Sequence, residues 1–184
     1  NLQELSKAGT TPREAFAQLS QMESSLQQLQ KQINDPATAE QLKEIGEALS
    51  LSADMSSAGK ALAKGDLQKA EAELSKLSAP SLDRQTQRAV AEKLKQVQKG
   101  SEQSGKAQAT GEAAGKMAEG LESGNSQKFQ EGAKGLASEA RRLANQKKLS
   151  ELLQQQAQTV RCLTLEHYAE GILTLLEELY GPVP

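Results

Sequence analysis

Three side chains able to do chemistry stand close together near the end of this sequence. Cys162 is the only cysteine, His167 is the only histidine, and Glu166 precedes it. A thiol beside an imidazole can be ionised into a nucleophile, and both groups bind zinc. The spacing argues against both uses. On a helix, residues five apart lie about 140° around the axis, so the two side chains diverge. No second cysteine or histidine completes a metal shell, and a lone cysteine forms no internal disulfide. We expect His167 to be a surface or packed histidine.

Carboxylates are the next resource. Glu166 and Glu170 are one helical turn apart, and Glu177 and Glu178 are adjacent. Acid–base catalysis needs a desolvated cleft that drives two carboxyl pKa values apart, and thin helical packing offers little room for one. These are expected to be helix-surface charges. Gly105, Gly111, Gly115 and Gly120 fit neither a phosphate-cradling GxxxxGK[ST] nor a dinucleotide-binding GxGxxG pattern. They mark flexible or closely packed helix. Arg141, Arg142, Lys147 and Lys148 form a basic cluster, but Glu139 and Glu151 flank it. We assign no catalytic, cofactor-binding or metal-ligating residue, and expect no enzyme and no cofactor.

Composition agrees. The chain of 184 residues is 36% hydrophobic, 25% charged and 2% aromatic, with no Trp and a net charge of −2. No basic excess is available to neutralise phosphates, so nucleic acid is not an expected partner. No run approaches the roughly 18 apolar residues of a membrane span. The most apolar run, 172–176, is short and contains Thr174, so no membrane insertion is expected within this segment. The chain begins at Asn1 without Met and shows no signal-peptide pattern, and we read it as a piece of a longer protein.

The elements that carry these residues read as helices throughout. Ala, Gln, Glu, Lys and Leu dominate, while alternation and Val-rich runs are missing. Thr10-Thr11-Pro12 offers a cap and a first-turn proline. Phe16, Leu19, Met22, Leu26, Leu29 and Ile33 then recur at near-heptad spacing until Asn34-Asp35-Pro36. A second helix starts near Pro36 or Ala37 and carries Leu42, Ile45, Ala48 or Leu49, Met55, Ala58 and Leu62. Its stripe thins into small residues over 51–59. Lys64-Gly65-Asp66 reads as a tight helix–helix turn into a short helix with Leu67, Ala70, Leu74 and Leu77, stopped by Ser78-Ala79-Pro80.

Ser81 is the expected cap of the next helix, with Leu82, Ala89 or Val90, Leu94 and Val97 on one side. Residues 99–105 look like a loop, although a helix running through two glycines fits as well. Ala107, Ala114, Met117 and Leu121 form the following stripe. After the turn Ser123-Gly124-Asn125-Ser126 comes a long helix with Phe129, Ala133, Leu136, Ala140, Leu143, Leu149, Leu152 and Leu153. The last segment, 163–180, is the most apolar, and Gly181-Pro182 ends it. Its acidic polar side suits packing on the first helix or another subunit better than an anionic lipid surface.

Residues 61–78 align with 120–137 at a constant offset of 59, pairing Leu62 with Leu121, Gly65 with Gly124 and Asp66 with Asn125. We take this as an internal repeat, with units near 55–78 and 114–137, each an αα-hairpin that needs a neighbour to cover its apolar face. The phrase 61–74, ALAKGDLQKAEAEL, resembles the helix-corner-helix of tetratricopeptide-type repeats. It is also similar to Ala/Gln/Lys-rich helical segments of large bacterial coiled-coil proteins. The resemblance covers about residues 55–160. It departs from a tetratricopeptide array in its period of 59 against about 34, its empty Trp and Tyr positions and its long flanking helices. It implies helical hairpins and carries over no functional residues.

The expectation is an all-α protein: an elongated antiparallel bundle or coiled-coil-like array of about six or seven helices over 1–184, with two hairpin corners. Its expected role is structural or scaffolding, through a protein partner or self-association. A repeat-type peptide-binding module is the alternative. A stress-protective, partly disordered chain is a third, prompted by the Ala/Gly/Lys/Glu character of 104–120.

Overall fold

The computed structural model describes residues 12–33, 35–78 and 81–180; the described side chains exclude those at 12–16, 30, 32, 163–168, 170–172 and 174–180. Seven helices and no strand occur among the described residues: α1 (Pro12–Ile33), α2 (Pro36–Leu49), α3 (Ser56–Ala63), α4 (Leu67–Lys76), α5 (Arg84–Ser104), α6 (Gln108–Ser123) and α7 (Ser126–Tyr180). The fold is the expected all-α helical bundle class. Contacts group the chain into two compact units, one of residues 1–34 and 148–184, the other of residues 35–147.

The core of the 35–147 unit is aliphatic, as the sparse aromatics require. Leu42, Ile45, Leu49, Met55, Leu62, Leu74, Val90, Leu94, Met117 and Leu136 are essentially solvent-free, around the buried ring of Phe129. With few large side chains available, the helices gain contact by approaching closely at glycine. A Cβ at Gly46 would lie 2.7 Å from the Gly59 carbonyl oxygen, so α2 and α3 cross there backbone to backbone. A Cβ at Gly120 would meet Phe129 Cα at 2.7 Å, and one at Gly132 would meet Met117 N at 2.7 Å, fixing α6 against α7. Dispersion gains accumulate at such distances, and any added methyl must push a helix away.

The second expected helix divides in two. At the end of α2 the Gly46 carbonyl accepts both the Ser50 amide, at 3.0 Å, and Ser50 Oγ, at 2.7 Å. The chain then turns through 50–55, and α3 folds back over the small residues of α2. The 99–105 loop, in contrast, is helical as far as Ser104. A helical glycine costs only about 1 kcal/mol, and buried Ser101 repays it. Its hydroxyl reaches the carbonyls of Lys106 and Ala107, at 3.0 and 3.1 Å, and closes the α5–α6 corner. That corner forces Ala107 to φ +49°, so a residue expected in an apolar stripe is instead the N-cap of α6.

Ser81 does not cap α5. Asp83 does, accepting from the amides of Gln85 and Thr86, because a carboxylate two positions nearer the helix can accept from two amides at once. The 163–180 segment is not separate, and α7 runs on without a break. The two glycine corners match closely. Gly65 has φ +71° and Gly124 φ +65°. Asp66 accepts from Lys69 N, and Asn125 from Gln127 N and Lys128 N. Left-handed geometry without a Cβ penalty, followed at once by a cap, produces both reversals. Ala61 and Ala70, both buried, occupy the positions that align with Gly120 and Phe129.

In the other unit, Leu19 on α1 and Val160 on α7 are buried, and Arg161 Nε stands 3.8 Å from a Glu23 carboxylate oxygen. The heptad ridge of α1 is covered unevenly. Leu19 is 2% exposed and Leu29 is 47% exposed, with Met22, Leu26 and Ile33 in between. The expected cap at Thr10-Thr11, the stop at Ala79-Pro80 and the end at Gly181-Pro182 lie outside the described residues.

Candidate functional site

Each chemically able residue can now be placed. Cys162 is a free, exposed thiol on α7. His167, Glu166, Glu170, Glu177 and Glu178 belong to the same helix, with side chains outside the described set. Among the described residues no group of three or more His, Cys, Asp or Glu is placed to hold a metal ion. Gly105 ends α5 at φ +65°. Gly111 and Gly115 are points of close approach, where a Cβ would lie 2.6 Å from Ser101 Oγ and from Gln98 Cδ respectively. Gly111 and Gly115 are packing devices, and Gly105 is a helix end.

Within the basic cluster, Arg142 is held by partners in the fold, while Arg141 stands 3.9 Å from Glu71. Arg142 Nη2 lies 2.9 Å from Asp35 Oδ2 and 2.8 Å from Glu139 Oε2, and donates to Thr38 Oγ1 at 3.2 Å. Asp35 is also the N-cap of α2, accepting from the Thr38 amide at 3.1 Å and hydroxyl at 2.7 Å. Burial alone would raise the Asp35 carboxyl. The Thr38 and Arg142 hydrogen bonds and the guanidinium charge outweigh it and hold the carboxyl below its ordinary value. Hydrogen bonding to Asp35 raises the already high Arg142 value further against desolvation. This polar knot ties the start of α2 to α7. The sequence hid it because Asp35 and Arg142 lie 107 residues apart.

Two open grooves mark the 35–147 unit. One, of about 370 Å³, gathers Asp54, Glu73 and Lys76 with Ser57, Ser78 and Ser81. No hydrogen bond among the described residues joins one of these hydroxyls to a carboxylate or the amine. The other, of about 460 Å³, lies beside α2 and α5 and carries Glu40, Glu44 and Lys106. Both are open to solvent.

Apolar helix surface is exposed on α7. Leu149, Leu152 and Leu173 on α7 are 46%, 57% and 55% exposed. Together with Leu29 on α1 they give the 1–34 and 148–184 unit more exposed leucine than the other unit, where Leu51 alone among large hydrophobics is comparably exposed among the described residues. No helix among the described residues is long and apolar enough to cross a membrane. No protein-family model matches the chain, and no curated protein or solved structure matches it.

Proposed function

We propose that this chain is a non-catalytic helical scaffold segment that acts by burying its exposed leucine ridges against protein, either another copy or a partner. The observation that carries the proposal is the exposure of Leu149, Leu152 and Leu173 along one helix, with Leu29 on α1. Each leucine moved out of water contributes about 1.5–3 kcal/mol when fully buried. Helix-on-helix packing of this kind needs no cleft and no cofactor. The near-neutral charge and the engagement of Arg142 with Asp35 and Glu139 favour protein over nucleic acid as the partner.

Sedimentation velocity across a concentration series tests this. The sedimentation coefficient is expected to rise with concentration, and the rise to disappear in Leu149→Lys/Leu152→Lys while helical circular dichroism is kept. A coefficient that is flat in both proteins would overturn self-association. An equal rise in both would take the leucine ridge of α7 out of the mechanism.

A further inference from the structure

One flank of α7, exposed at each of its described positions, is self-complementary in order, and we infer that two copies of this chain pair along residues 148–177 of α7, running antiparallel. The inference rests on the association proposed above and gives it a partner, a direction and a register. At about 100° per residue, Lys148, Leu152, Cys162, Leu173 and Glu177 fall within about 80° of one another around the helix. Lys148, Leu152, Cys162 and Leu173 are exposed. Buried Val160 and half-buried Leu153 lie about 120–140° from the centre of that flank, so the face covered within the unit is a different one.

A twofold axis between residues 162 and 163 sets Lys148 opposite Glu177, Leu152 opposite Leu173, Gln155 opposite Glu170 and Thr159 opposite Glu166. Every pairing then occurs twice. Each glutamate position of this flank then stands opposite a lysine, glutamine or threonine position, and Leu152 and Leu173, the most exposed leucines of α7 among the described residues, cover each other. Parallel pairing in register would instead set Glu166, Glu170, Glu177 and Lys148 each against its own copy, with like charges opposed along the whole length. The charge of α7 is also polarised. Residues 148–161 hold Lys148, Arg161 (3.8 Å from Glu23) and one Glu, and residues 164–177 hold three Glu and no Arg or Lys. Only opposed directions bring the basic half of one copy onto the acidic half of the other.

Nitroxide spin labels on the full chain test partner and direction together. One label goes on Cys162, and the other on residue 151 of Glu151→Cys/Cys162→Ser. Antiparallel pairing places the Cys162 labels side by side across helix axes about 8–10 Å apart. It places the residue 151 labels about 35 Å apart along the axis. Short distances at both positions would overturn the antiparallel register and leave the association itself standing. No dipolar coupling at either position, in a chain that sediments as a monomer, would overturn both. A charge exchange gives an independent readout. Lys148→Glu is expected to weaken the dimer about three- to tenfold, and adding Glu177→Lys in the same chain to restore it. Circular dichroism of each variant confirms that the helices are intact. A double variant no tighter than the single one would overturn the Lys148–Glu177 pairing.

Discussion

Arg142 grips Asp35 at 2.9 Å across 107 residues of chain, and the carboxylate it grips is the one that caps α2. A local device and a long-range one therefore share a single side chain. The Thr38 hydroxyl, fully buried, bonds the same carboxylate and keeps it oriented. Asp35→Ala removes all of this and is expected to cost about 1–2 kcal/mol, most of it from the cap. Arg142→Met is expected to cost less than about 1 kcal/mol, because the guanidinium is more than a third exposed and water screens it. Urea denaturation of the two single variants and the double variant measures the coupling. A coupling energy of zero would show that the ion pair contributes nothing beyond the cap.

The same carboxylate sets a pH dependence. Its folded value lies below the ordinary 3.8, so its stabilising effect is complete above that pH and is lost as pH falls through the folded value. Asp35→Asn keeps a capping side chain but has no carboxyl to protonate. The stability difference between wild type and Asp35→Asn is expected to be constant near neutrality and to shrink below about pH 3.8. Thermal melts from pH 7 to pH 2 check this. A difference that grows on acidification would contradict it.

One substitution made at two glycines is expected to act with opposite signs. At Gly120 the new methyl meets Phe129 backbone at 2.7 Å, so Gly120→Ala must separate α6 from α7. The expected loss is about 1–3 kcal/mol. Nothing lies within 4 Å of a Cβ at Gly100, inside α5. Gly100→Ala is therefore expected to gain up to about 1 kcal/mol from helix propensity and a less flexible unfolded chain. Melting temperatures of the pair decide the matter, and two shifts of the same sign would refute the packing argument.

The glycine corners make a matched prediction. Gly65→Ala and Gly124→Ala place a Cβ at φ +71° and +65° and are expected to cost about 1–2 kcal/mol each. Asp66→Ala and Asn125→Ala each remove a side-chain cap, at about 1 kcal/mol. Denaturant midpoints of the four variants should fall into two similar pairs.

Leu19 and Leu29 test the α1 ridge. An unpaired carboxylate in place of buried Leu19 is expected to cost several kcal/mol, while Leu29→Asp, at a half-exposed position, should change monomer stability by under about 0.5 kcal/mol. Equal losses at the two sites would show the ridge to be covered along its whole length.

Local signals were legible in the sequence. The glycine corners, the start of α2 after Asp35 and the helical class follow from turn chemistry and propensity acting over a few residues. Boundaries set by tertiary partners were not. The α2–α3 break depends on the crossing at Gly46 and Gly59. The helical run through Gly100 depends on Ser101 reaching two carbonyls beyond the helix end. The heptad spacing of α1 identified its ridge but not how much of it is covered, since Leu26 and Leu29 obey the same periodicity as Leu19. Among candidate residues, sequence spacing argued against pairing Cys162 with His167. The Asp35–Thr38–Arg142 knot was beyond reach, because no local pattern links residues so distant in the chain.

The aligned hairpins divide their interior volume differently, two alanines in one and a glycine facing a phenyl ring in the other. A chimaera carrying the first hairpin in both places would keep every turn and lose the ring around which its neighbours close, leaving a void. The reverse exchange would force a phenyl group where only a methyl fits. The corners are interchangeable parts, but their fillings are not, so recombination between the two segments would yield a chain that reverses direction correctly and packs badly.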